Sequence, residues 1–158
     1  MKYKRTIATL VLLIAMFSCI SCFAGLFAGG DGAVYEYTSI HNETVAIVGS
    51  GLYKSDSISV AAQGKAADLV TLVLGIPVLL ISLYLAGKNS MRGRLVLTGT
   101  LGYFLYTYVS YVFLWFYNPF FLIYVIVMSA SFFAFVLSMM SFEMEHFVSN
   151  FSGKTPVK

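Results

Sequence analysis

Residues 103–121 read YFLYTYVSYVFLWFYNPFF. Up to Tyr117 the run is apolar and aromatic without one charge, and beyond Pro119 it resumes as FFLIYVIVMSASFFAFVLSMM. Proline has no N–H to give a helix and pushes the residue before it out of the α region. The Asn118-Pro119 pair therefore predicts a break between two apolar helices. So short a connection makes the two helices antiparallel neighbours.

Each run matches the roughly 20 helical residues needed to cross about 30 Å of hydrocarbon. They define spans at 95–117 and 120–142, and further upstream 6–28 and 66–86 qualify in the same way. Asp68 is the one charged residue inside these four stretches. Hydrophobic residues make up 59% of the chain and charged residues 11%, an apolar excess that a small soluble domain cannot hide. Lipid offers no partner to a bare amide, so helices, which satisfy their own, are the expected elements. The predicted fold is an all-α membrane protein: four transmembrane helices, with a small extracytoplasmic segment (29–65) between helices 1 and 2.

Orientation follows from charge, because Lys and Arg gather on the cytoplasmic side. With the N-terminus inside, Lys2, Lys4, Arg5, Lys88, Arg92, Arg94, Lys154 and Lys158 are cytoplasmic, and only Lys54 and Lys65 lie outside. The loop 87–94 and the tail 143–158 are then cytoplasmic, in a cell (cytoplasmic) membrane protein with both termini inside. A rival reading takes the first run as a signal peptide ending near CFA, which would leave three spans. The run continues through Phe23, Leu26 and Phe27 to spanning length, which favours retention.

In the segment 29–65, AVYEYTSI and ETVAIVG read as two short strands with a turn at His41-Asn42. Two strands are marginal alone, so this piece should lean on the helix ends or on a partner. Ser55 or Ser57 is placed to N-cap the second helix. Asn42-Glu43-Thr44 has the form of a glycosylation acceptor, a short motif with meaning only in a eukaryotic secretory route.

On the third span, Gly99, Tyr103, Tyr106, Ser110 and Tyr117 share one face, with Phe104, Tyr108, Tyr111 and Trp115 roughly opposite. The fourth carries a stripe of small residues, Ser131, Ala134, Ser138 and Ser141. Antiparallel pairing about Asn118-Pro119 sets Tyr106 level with Ser131, Tyr103 with Ala134 and Gly99 with Ser138. Close packing and interhelical hydrogen bonds drive association in lipid, so Tyr103 and Tyr106 are expected to pack on the fourth helix. The alternative is a polar aromatic cavity for a small molecule, lipid or quinone, lined by Tyr103, Tyr106, Ser110 and Asp68. Trp115 and Tyr117 are expected in an interfacial aromatic belt, and Pro77 is expected to bend the second span.

Cys19 and Cys22 form a C-x-x-C near the end of the first span. The pair resembles those of membrane disulfide-forming quinone oxidoreductases and vitamin K epoxide reductases, which pass electrons from a dithiol to a quinone. Those families use a second cysteine pair that this chain lacks. Glu143 and His146 have the Glu-x-x-His spacing of di-iron bundles in a single copy, which reads as a solvated helix end. Asp68 is a suspect because acids at membrane depth are usually there for a reason, although its place about one turn inside the outer boundary lets it reach water. No catalytic residue, metal ligand set or cofactor is assigned, and nothing points to nucleic acid.

The stretch Gln63 to Val125 carries DLVTLVLGIPVLLISL, RGRL, LGYFLYTY and NPFFLIYV. In these it resembles a group of small prokaryotic multi-pass membrane proteins with no attached activity. The resemblance implies a prokaryotic cytoplasmic membrane and carries over no functional residue. The expected role is a non-enzymatic interaction or accessory subunit in the lipid bilayer, meeting a membrane-protein partner through 29–65. Small-molecule, lipid or quinone binding or transport is the alternative, and thiol–quinone redox through Cys19 and Cys22 the second.

Overall fold

The structure, a computed structural model, describes residues 3–142. Lys2, the expected tail 143–158 and its Glu143 and His146 lie outside the described residues. The elements are α1 (Lys4–Phe27), β1 (Tyr35–Thr38), β2 (Thr44–Ile47), α2 (Ile58–Val70), a π-helical turn (Thr71–Gly75), α3 (Ile76–Gly87), α4 (Met91–Phe113) and α5 (Phe121–Met140). Because α2, the π turn and α3 run on without a break, the helices form four rods. Each of the four is long and apolar enough to cross a membrane, and the second has 30 residues, Ile58–Gly87. The chain is thus built as a multi-pass membrane protein.

The local signals explain the rod ends. Ser57 accepts from the Val60 N–H and caps α2, as its position suggested, and Ser90 does the same for α4 through the Gly93 N–H. Asn89, at φ 60°, turns the chain between α3 and α4. A Cβ at Gly93 would run into the backbone of Ala86, so only glycine lets α4 start so close to α3. Pro77 cannot donate to the Val73 carbonyl, and the π turn lies immediately before it. There the Ile76 N–H reaches back five residues to Thr71. A widened turn is a standard accommodation of a disrupted helix ladder.

The rods close into a ring in chain order: α1 packs on α2 and α3, α3 on α4, α4 on α5, and α5 back on α1. Lys4 Nζ donates to the Gly87 carbonyl at 2.9 Å, so the start of α1, the end of α3 and the start of α4 share one end of the bundle. At the other end sit the antiparallel hairpin, with Tyr35 opposite Ile47 and Thr38 opposite Thr44, and the turn between α4 and α5.

Inside the ring, α1 contributes Ile7, Val11, Ile14, Ser18, Ser21 and Gly25, an unbroken seam at alternating four- and three-residue steps. The small-residue stripe of α5 is buried as expected, with Ser131, Ala134, Ser138 and Ser141 all inside. The antiparallel depth register also holds, since Thr98 and Ser138 hydroxyls meet at 2.5 Å.

The buried face of α4 differs from the expected one. Leu97, Leu101, Phe104, Tyr108 and Tyr111 point inward, whereas Tyr106 is 75% exposed. Tyr103 turns to the second rod, where its hydroxyl meets Thr71 Oγ1 at 2.8 Å. Ser131 Oγ therefore has no tyrosine partner. Trp115 packs on Leu52, Tyr53 and Ala61 at the bundle end, while Tyr117 is 76% exposed. The physical reason is that apolar area cannot separate inside from outside in lipid. Hydroxyls with partners on another rod decide the face: Tyr108 finds Ser21 and Tyr111 finds Asp68.

This assignment predicts a sharp contrast in stability. Tyr108→Ala should cost roughly 3–5 kcal/mol, as for a fully buried aromatic, and Tyr106→Ala less than about 0.5 kcal/mol. Unfolding of the detergent-solubilised variants measures both, and equal losses would contradict the inward face.

Candidate functional site

The chemistry-bearing groups gather around Asp68, on α2 nearly three helical turns after its start. The side chain is 1% exposed, so it does not reach water as expected from its place near the end of the span, because the loop before α2 and the end of α4 close over it. Tyr53 donates to Oδ2 at 2.5 Å and Tyr111 to Oδ1 at 3.0 Å. The Tyr111 hydroxyl also lies 3.3 Å from the Gly64 carbonyl. Cys22, on α1, sits beside Asp68, Tyr108 and Ser21. Tyr108 and Ser21 share a hydrogen bond of 3.0 Å. The polar partners of the Asp68 carboxyl, Tyr53, Tyr111 and Cys22, are all neutral groups.

Aromatic rings wall this centre. Tyr111 packs on Trp115 at 4.4 Å between centroids and on Tyr124 at 5.1 Å. Trp115 also meets Tyr53 edge-on at 5.2 Å. Tyr124, on α5, is 2% exposed, and its hydroxyl has no hydrogen-bond partner. Two glycines make the approach feasible. A Cβ at Gly25 would overlap Asp68 Oδ2 and crowd the Tyr53 hydroxyl, and one at Gly64 would overlap the indole of Trp115.

Tyr53 comes from the connection between β2 and α2, where Gly49 and Gly51 both adopt φ 74°, a backbone that side chains with a Cβ resist. The resulting turns are tied by Gly49 N–H to Lys54 carbonyl at 2.9 Å and Val48 N–H to Asp56 carbonyl at 3.1 Å. They push Leu52 and Tyr53 into the bundle end. Burial drives the Tyr53 phenol far above its usual range, so it stays an O–H donor toward Asp68. Asp56, 3% exposed, holds the same connection down by accepting from the Phe116 N–H at 3.3 Å. Its carboxyl is raised by burial, against the smaller opposing pull of that N–H.

The residues singled out from sequence are divided by the fold. Asp68 and Cys22 belong to the buried centre, whereas Cys19 is only partly buried and both thiols are free. Tyr103 borders an outward-facing groove of about 320 Å³, lined by Val70, Leu74, Gly75, Gly99, Thr100 and Tyr103 among others. Ser110 caps back onto the Tyr106 carbonyl at 3.0 Å, and Tyr106 projects outward. Tyr103 does not reach Asp68: its hydroxyl pairs with Thr71, in the π turn one helical turn beyond the carboxylate. Sequence reasoning missed Tyr53 altogether and did not weigh Tyr111, Tyr124, Gly25 or Gly64. The steps from Leu97 through Leu101, Phe104 and Tyr108 to Tyr111 were the available signal for α4. For Tyr53 the signal was its place after a glycine-rich turn.

Compared with known proteins, the chain matches no family model, no curated protein and no solved structure. The geometry therefore carries the functional reading by itself.

The close approach of α1 to the carboxylate predicts that Gly25→Ala destabilises the protein by about 1–3 kcal/mol, the range for overpacking. Gly29→Ala, where a new Cβ meets nothing within 4 Å, should be neutral. Thermal unfolding in detergent measures both, and a harmless Gly25→Ala would contradict the packing around Asp68.

Proposed function

We propose that the chain is a non-enzymatic interaction or accessory subunit of a prokaryotic cytoplasmic membrane. In this reading both termini are cytoplasmic and residues 29–65 are extracytoplasmic. What supports the orientation is charge: Lys4, Lys88, Arg92 and Arg94 belong to the end at which Lys4 bonds Gly87, and the hairpin is at the other. Alkaline phosphatase fused after residue 41 should be active in whole cells, and fused after residue 89 inactive. The opposite pattern would invert the topology.

The observation that carries the interaction reading is the outward groove between the π turn and α4. Inside the bundle, the hydroxyls of Tyr53 and Tyr111 bond the Asp68 carboxylate, and that of Tyr108 bonds Ser21. Outside, small residues at Gly75, Gly99 and Thr100 leave a furrow, and Tyr106 projects outward from the same helix as Gly99. Small residues are what allow a further helix to approach closely in lipid. The fit is to one transmembrane helix of a partner subunit. Because 29–65 is anchored by Tyr53 and Asp56, its hairpin is a second, fixed contact surface.

The same groove favours one other reading, a lipid or quinone held beside the Tyr103–Thr71 hydroxyl pair. One experiment separates them. A photo-crosslinking phenylalanine at Tyr106 should capture a single membrane protein in native membranes. Gly99→Leu should abolish that capture without moving the thermal midpoint, because a Cβ at Gly99 meets nothing within 4 Å. Loss of a co-purifying lipid or quinone in Gly99→Leu, with no protein captured, would favour the binder instead. A solitary chain with neither would sink both.

A further inference from the structure

We propose that the Asp68 cluster is a coordination site for one dehydrated alkali-metal cation, of the kind of Na⁺. The proposal is independent of the partner groove and rests on the charge and donor inventory of the bundle interior. A carboxylate removed from water is costly without a countercharge, and the groups that hydrogen-bond Asp68 are the neutral hydroxyls of Tyr53 and Tyr111. Its carboxylate oxygens accept from Tyr53 and Tyr111. Each of those phenols spends its proton on Asp68 and keeps oxygen lone pairs. The Gly64 carbonyl is held only weakly, at 3.3 Å from Tyr111.

An independent observation points to a ligand. The Tyr124 hydroxyl is 2% exposed and has no hydrogen-bond partner, although buried hydroxyls are normally satisfied. Asn118 and Tyr53 are its nearest polar neighbours, the Asp68 charge acts on it through space, and its ring packs on Tyr111 and Tyr108. An ion bound there gives that oxygen a partner and the carboxylate a countercharge together.

The donor set selects the ion's class. Carboxylate, phenol and carbonyl oxygens are hard ligands and suit hard cations. One carboxylate balances a single positive charge, so a divalent ion would leave net charge in an apolar interior. Mg²⁺ in addition keeps several waters, which suits a site walled by buried aromatic rings poorly.

Trp115, the single tryptophan of the chain, touches both Tyr53 and Tyr111 and reports on this site. The test titrates NaCl into the full chain in mild detergent, with choline chloride holding ionic strength constant. A saturable change in Trp115 emission is expected, together with a thermal midpoint that climbs with NaCl above the dissociation constant. Asp68→Asn should abolish both responses. Tyr124→Phe, which removes one oxygen and keeps the ring, should weaken the apparent Na⁺ affinity about tenfold. The same emission and midpoint for the unmodified protein in NaCl, KCl and choline chloride would overturn the proposal, as would an Asp68→Asn protein that titrates normally. Should Asp68→Asn fail to fold, an unchanged Na⁺ affinity in Tyr124→Phe would overturn it instead.

Discussion

A carboxylate inside an apolar bundle persists only where its surroundings replace what water gave it. Asp68 imposes that demand here, and the end of the bundle is arranged to meet it. Two phenols must reach it, one from α4 and one from the loop before α2. The α1 backbone must come close, which calls for Gly25, and the indole that seals the group needs the bare backbone of Gly64. Glycines at φ 74° then bring Tyr53 inward. One charged group accordingly ties α1, α2, α4 and the connecting segment into a single unit.

The second rod carries the other constraint. Pro77 removes a backbone donor at mid-rod, and the π turn from Thr71 to Gly75 takes up the disturbance. The turn lies between two surfaces of different kind. One turn before it, Asp68 faces inward. Along it, Thr71 holds Tyr103, while Leu74 and Gly75 border the outward groove. Gly75 brings the rod close enough to α4 that an added Cβ would crowd the Tyr103 ring at 3.2 Å. Interior clamp and exterior furrow are in this way set by the same eight residues, 68–75.

Much of this was legible in advance. Rod lengths, the antiparallel depth register across Asn118-Pro119, the hairpin and the Ser57 cap all follow from local chemistry. What failed was the choice of face on α4. Tyr103 and Tyr106 were expected on α5, yet the seam through Leu97, Leu101, Phe104, Tyr108 and Tyr111 is the buried one. Both faces are aromatic, and lipid accepts either, so polarity could not rank them.

The sequence by itself determined that four helices form, how long they are and which neighbours run antiparallel. Each of those depends on hydropathy, on proline and on chain connectivity, all local in the chain. Only the tertiary structure decided which phenols are partnered and which project outward. That choice depends on groups distant in sequence, such as Ser21 for Tyr108 and Asp68 for Tyr111 and Tyr53. In a medium as apolar as the side chains themselves, hydrogen-bond partners and close packing between distant segments, rather than burial of oily surface, orient a helix.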